Sequence, residues 1–116
     1  MAGKRARFGL GRQRRLKRRQ DFERLLRRGA RRSQSGYVFY LERRAQGPAR
    51  LGILVSRRHS ARATVRNRIK RSIREAFRLE QDRLGALDLL VRVPYGARPG
   101  PAMIARLREL LAELAL

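Results

Sequence analysis

Arg66, Asn67, Arg68, Lys70, Arg71 and Arg74 crowd into one stretch, VRNRIKRSIREAF, from Val65 to Phe77. Their shared chemistry is recognition of a polyanion. Guanidinium and ammonium groups donate to phosphate oxygens but accept nothing, whereas the Asn67 amide does both. An amide so placed can meet a 2′-hydroxyl, a base edge or a metal-bound water near phosphate. The competing reading is a solvated helix face with one neutral residue. The scarcity of acids nearby weighs against it, because Glu75 and its few fellows cannot neutralise the row. Exposed i,i+4 pairs contribute only about 0.2–0.5 kcal/mol each. Upstream, Ser56, Arg57 and Arg58 end a strand just before this helix begins. Two arginines beside the backbone amides of a helix start make a local phosphate site; solubilising charge at a strand end is the plainer alternative.

Hydrolytic chemistry has much weaker support. The nine carboxylates form no recognisable metal cluster, and His59 is the only histidine. A two-histidine ribonuclease mechanism is therefore impossible within one chain, and two-metal hydrolysis would need converging acids. There is no cysteine, which excludes disulfides, thiolate zinc sites and cysteine nucleophiles. The residues describe a binder, not a nuclease acting alone.

The charge balance names the partner class. Thirty-one Lys and Arg against 9 Asp and Glu give +22 over 116 residues. Such a chain repels itself until a polyanion neutralises it. Nucleic acid fits better than membrane, because the cations run through folded-looking segments and not beside one apolar anchor. No apolar run approaches the roughly 20 residues of a membrane span. Arg greatly outnumbers Lys, which suits planar contacts to RNA, although lineage bias toward Arg explains the excess equally well.

These residues need a scaffold, and the chain length fits one small domain, residues 15–116, behind a basic, mobile arm at 1–14. Asp21 reads as the N-cap of a first helix with Phe22, Leu25 and Leu26 on one stripe and Gly29 at its end. GYVFYLE (36–42) alternates as a strand, Tyr37, Phe39 and Leu41 facing one way and Val38 and Tyr40 the other. RLGILVS (50–56) reads as a strand buried on both faces, and the short connection suggests an antiparallel hairpin with the strand before it. Thr64 is a plausible N-cap for the long helix, whose Val65, Ile69, Ile73, Ala76 and Phe77 form the docking face. ALDLLVRVP (86–94) is a further strand, and Pro101 suits the first turn of a last helix carrying Ile104, Leu107, Leu111 and Leu114. The class is α+β, with helices packed on one mostly antiparallel sheet. Tyr40 and Val38 could then offer a platform for an unpaired nucleotide.

VRNRIKRSIREAF closely resembles the signature helix of the bacterial ribonuclease P protein subunit. RLKRRQDFERLLRRG, YVFYL, LGILVSRR and DLLVRVP resemble the family's other elements in the right order, covering Arg15 to Leu114. The resemblance implies a two-layer α/β sandwich like a ribosomal protein S5 domain, ordered helix-strand-strand-strand-helix-strand-helix with a left-handed β-α-β crossover. It implies a cytoplasmic holoenzyme that removes the 5′ leader of precursor tRNA by endonucleolytic cleavage. The large RNA carries the active site and requires magnesium; the protein holds no cofactor or metal of its own, improves substrate binding, and joins one copy per RNA. By position, Phe22, Val38, Tyr40, Arg66, Asn67, Lys70 and Arg74 are implied to bind the leader. Ser56, Arg57, Arg58, Arg62, Arg68 and Arg71 are implied to meet the catalytic RNA. Leu26 stands where some members carry a second aromatic, and HSARAT (59–64) replaces a loop that is often Gly-containing and Lys-rich. The alternative function is a ribosomal or ribosome-assembly protein without leader processing.

Overall fold

The computed structural model describes residues 14–16 and 18–115. The expected basic arm therefore lies outside the described residues, except for Arg14, whose Nη1 donates to Gln81 Oε1 at 2.7 Å. Seven elements follow: α1 (Arg19–Arg28), β1 (Ala30–Gln34), β2 (Tyr37–Arg43), β3 (Arg50–Ile53), α2 (Ala63–Leu84), β4 (Leu87–Arg92) and α3 (Pro101–Leu114). This is the α-β-β-β-α-β-α order that the resemblance implies.

The sheet order is β1-β2-β4-β3. β2 and β3 do not form the expected hairpin. β4 inserts between them, antiparallel to β2 (Tyr40 opposite Leu90) and parallel to β3 (Gly52 opposite Leu90). The physical reason is burial. Leu87 to Val91 of β4 are all buried, so this strand takes the centre, while β3 goes to an edge. The segment before α1 partly covers that edge, with the Leu16 N–H donating to Leu51 O at 2.8 Å. The sheet is thus mixed. β1 pairs with β2 through a two-residue turn, where Ser35 and Gly36 have φ of 54° and 86°. Positive φ at both turn positions matches the twist of the flanking strands.

One sheet face carries the main core. Phe39, Leu41, Leu51, Leu89 and Val91 meet Ile69, Ile73, Ala76 and Phe77 of α2 and Met103, Leu107 and Leu111 of α3. The α2 stripe read from periodicity is the stripe that packs. Its start differs: Arg62, not Thr64, precedes the first turn, and no side chain caps it. Likewise α1 begins at Arg19, so Asp21 sits inside its first turn, where its charge suits the helix dipole. The Ser72 hydroxyl donates to Arg68 O at 3.0 Å and accepts from the Gly100 N–H at 3.1 Å, tying the start of α3 to α2.

The other sheet face carries α1. Leu25 is fully buried against Leu16 and Leu90, with Phe22, Tyr40 and Leu54 packed around them. Burying one such leucine stabilises by about 1.5–3 kcal/mol. Gly29 ends α1 with its N–H on Leu25 O; a Cβ there would sit 2.6 Å from that same oxygen.

Candidate nucleic-acid interface

Four segments of the chain build a cleft at the β3 edge. The segment before α1 gives Arg15 and Leu16, α1 gives Phe22, β3 gives Leu51 and Ile53, and α2 gives Lys70 and Arg74. Its volume is about 180 Å³. Phe22 reaches the sheet because residue 52 is glycine. A Cβ there would lie 3.0 Å from Phe22 Cζ and 2.4 Å from Leu90 Cδ2. Lys70 and Arg74 share a helix face through their i,i+4 spacing. Burial and the neighbouring Arg15 charge push the Arg74 guanidinium below its ordinary pKa. The cleft therefore pairs an aromatic ring with crowded cations, the combination that binds an unpaired nucleotide and its phosphate.

The other sequence-predicted positions fall differently. Asn67 is exposed on α2 beside this row. Arg66 is already engaged: its Nη1 donates to Ser60 O and Ala61 O, both at 3.0 Å, holding the turn that leads into α2. Tyr40 is half-buried against Leu16, Leu25 and Leu90. Val38 is only 3% exposed and offers no open platform. Its neighbours across the strands, Ser33 and Arg92, share its face.

Arg68 and Arg71 line a separate hollow with Ser72, Pro99 and Gly100. Ser56, Arg57, Arg58 and Arg62 are exposed around the turn before α2. There the Ser56 hydroxyl accepts from the Arg58 N–H at 3.2 Å. His59 fastens this turn to the sheet. Its Nε2 donates to Val93 O at 2.9 Å, and its Nδ1 accepts from the Ser56 N–H at 3.2 Å. The ring is buried, so His59 acts as a structural fastener.

Sequence reasoning missed Arg15, which precedes every legible element, and the fastening role of His59. The signal for His59 was available in principle: a lone histidine in a loop between two apolar elements.

Most of the carboxylates serve arginines. Asp88 engages Arg24, Arg44 and Arg50; Glu80 engages Arg83 and Arg108; Glu75 engages Arg78. Among the described residues, no group of three or more His, Cys, Asp or Glu could hold a metal ion. Among them, too, no helix is long and apolar enough to cross a membrane.

A family model described as ribonuclease P matches residues 10–114. A ribonuclease P protein component from Nitrosococcus oceani is 39% identical over 94 residues, covering 81% of this chain and 79% of that protein. One from Ralstonia pickettii is 41% identical over 83 residues, covering 67% of this chain but 59% of the relative's length. Among solved structures, the Staphylococcus aureus RNase P protein superposes with a TM-score of 0.71 at 28% identity, over 87% of this chain and 91% of that one. The Thermotoga maritima RNase P protein gives 0.67 at 27% identity, over 85% and 96%.

Proposed function

The chain belongs to the ribonuclease P protein component family, and on that footing we propose that it is the RNA-binding subunit of a ribonucleoprotein that removes the 5′ leader of precursor tRNA. The observation that carries the reading is the cleft that sets Phe22 beside Lys70 and Arg74. A single-stranded leader fits it: one base against the Phe22 ring and adjacent phosphates on the two cations. Asn67 and Arg66 extend the contact along α2. Arg57, Arg58, Arg62, Arg68 and Arg71 spread over other surfaces and suit a second, larger RNA.

The bond cleavage belongs to that partner. Asp88, Glu75 and Glu80 are each engaged by arginines, and among the described residues no cluster of acids converges to hold a divalent cation. The role of this chain is to bind and orient the leader, which concentrates substrate at a catalytic RNA. The deciding experiment is reconstitution. Labelled precursor tRNA at low magnesium is incubated with this protein, with a bacterial catalytic RNA, and with both. Cleavage at the mature 5′ end only in the complete mixture is the expected result. Cleavage by highly purified protein alone would move the active site into this chain, and no stimulation of a competent RNA would defeat the reading.

A further inference from the structure

The two edges of the sheet are finished differently. β3 ends it on one side, and the segment before α1 covers that strand, with Arg15 bridged to Leu51 and the Leu16 N–H on Leu51 O. β1 ends it on the other side, and among the described residues nothing pairs with its outer edge. All of β1 is exposed. A proline, a bulge or a covering loop usually blunts such an edge. β1 has neither proline nor bulge: ARRSQ runs in unbroken register against β2, from Ala30 opposite Leu41 to Gln34 opposite Tyr37. Charge is its guard, in Arg31 and Arg32, neither of which makes an ion pair among the described residues.

In an antiparallel pair, every second residue turns its backbone N–H and C=O away from the partner strand. Counted back from the two-residue turn at Ser35 and Gly36, those residues of β1 are Ser33 and Arg31. Side chains alternate too. Arg32 lies opposite Phe39, a residue of the main core, and so shares the sheet face that packs on α3. On that face a groove of about 170 Å³ opens between β1 and α3. Phe39, Leu110 and Leu114 give it an apolar lining, beside Arg32 and Glu113. The groove exists because β1 brings no large apolar side chain to this face, only Ala30, Arg32 and Gln34.

We propose that the β1 edge docks an extended, acidic segment of a partner protein as a fifth strand of the sheet. The segment's backbone pairs with Ser33 and Arg31, one apolar side chain enters the groove, and its carboxylates meet Arg31 and Arg32. Charge decides among the occupants. A second copy of this chain would set these arginines against their equals, and like charges across paired strands destabilise. An RNA strand could use the arginines, but it has no amide ladder for Ser33, and Glu113 repels its phosphates. An acidic strand uses backbone, arginines and groove together. The net charge of +22 draws such a segment in from a distance. The proposal is independent of the RNA-binding reading above, because β1 and the cleft lie at opposite edges of the sheet.

The test is titration of the full chain with labelled, end-blocked peptides of about eight residues, a little longer than a typical strand. One alternates Glu and Leu. A second has the same composition with every Glu placed first, and a third is the alternating peptide N-methylated at every second amide. All carry the same charge, so attraction to a basic protein alone binds them equally. The alternating peptide should bind about ten-fold more tightly than either control, the scale of one or two ladder hydrogen bonds. Ser33→Pro removes an outward N–H, a change that edge strands tolerate. It should keep the parent's melting temperature and erase the alternating peptide's advantage. Should Ser33→Pro fail to fold, Arg32→Glu takes its place and should weaken the alternating peptide about ten-fold, the scale of one charge-assisted contact. Equal affinity for the three peptides, or parent-like preference in a folded Ser33→Pro or Arg32→Glu variant, would overturn the proposal. An unstructured oligoribonucleotide that loses affinity with Ser33→Pro as the peptide does would give the edge to RNA and overturn it. So would a dimer of the parent, seen in sedimentation and absent in Ser33→Pro, which would give the edge to a second copy.

Discussion

The fully buried Asp88 carboxylate on β4 accepts from Arg24 Nη2 on α1 at 2.9 Å, so a single acid ties the first helix to the central strand. Arg50 on β3 adds two more bonds, both at 2.7 Å, and the Arg44 Nε lies 2.9 Å away. Bonding to Asp88 raises the Arg50 guanidinium above its ordinary pKa, and bonding to Asp21 does the same for Arg24. One negative charge thus gathers three cations and fixes the helix that presents Phe22.

Asp88→Asn should destabilise the fold by about 3 kcal/mol, because removing one partner leaves buried or half-buried charges uncompensated. The three arginines each keep some solvent access, which holds the loss toward the lower end of the usual range. Urea unfolding of the two proteins measures it. A loss below about 1 kcal/mol would place the pairs among ordinary surface bridges.

Gly52→Ala should cost about 1–3 kcal/mol, the usual range for overpacking, since the new methyl meets a fully buried Leu90 and the Phe22 ring. It should also weaken single-strand binding, because Phe22 must leave its place in the cleft. Unfolding and oligonucleotide titration of the same variant test both effects. A stable variant that binds normally would mean that Phe22 yields at no cost.

Much of this was legible in the sequence. The apolar periodicity of α1, α2 and α3 and the alternation in β2 named the core faces, and the cation row around Asn67 named the ligand class. β1 was not legible in periodicity: ARRSQ has no apolar alternation and is exposed throughout, so its strand conformation comes from pairing with β2. Nor was the place of β3. A short loop favours a hairpin, but β4, arriving after the 22 residues of α2, is the more apolar partner and takes the position between β2 and β3. The burial of Val38 follows from that same non-local pairing.

Arg66 and Lys70 are one helical turn apart but should respond differently to alanine. Arg66 holds the carbonyls of Ser60 and Ala61, so Arg66→Ala should lower both stability and RNA affinity. Lys70 lines the cleft, and Lys70→Ala should lower affinity about ten-fold, the scale of one charge-assisted contact, with thermal stability unchanged. Parallel melting curves and titrations separate the two. Equal stability loss in both variants would make Lys70 a structural residue.

Salt dependence divides the cleft into its two kinds of contact. Each phosphate neutralised on single-stranded nucleic acid contributes about −0.7 to the slope of log affinity against log salt. Lys70→Ala should therefore make the slope shallower by about that amount. Phe22→Leu keeps an apolar side chain over Gly52 but removes the aromatic face. It should lose several-fold in affinity, within the range of one base–aromatic stack, with the parent's slope. Titrations of the parent and both variants across about 50 to 200 mM salt give the answer directly. If Phe22→Leu flattened the slope as much as Lys70→Ala, the ring would be acting only by placing the cations. If neither changed it, the bound strand would lie outside the cleft.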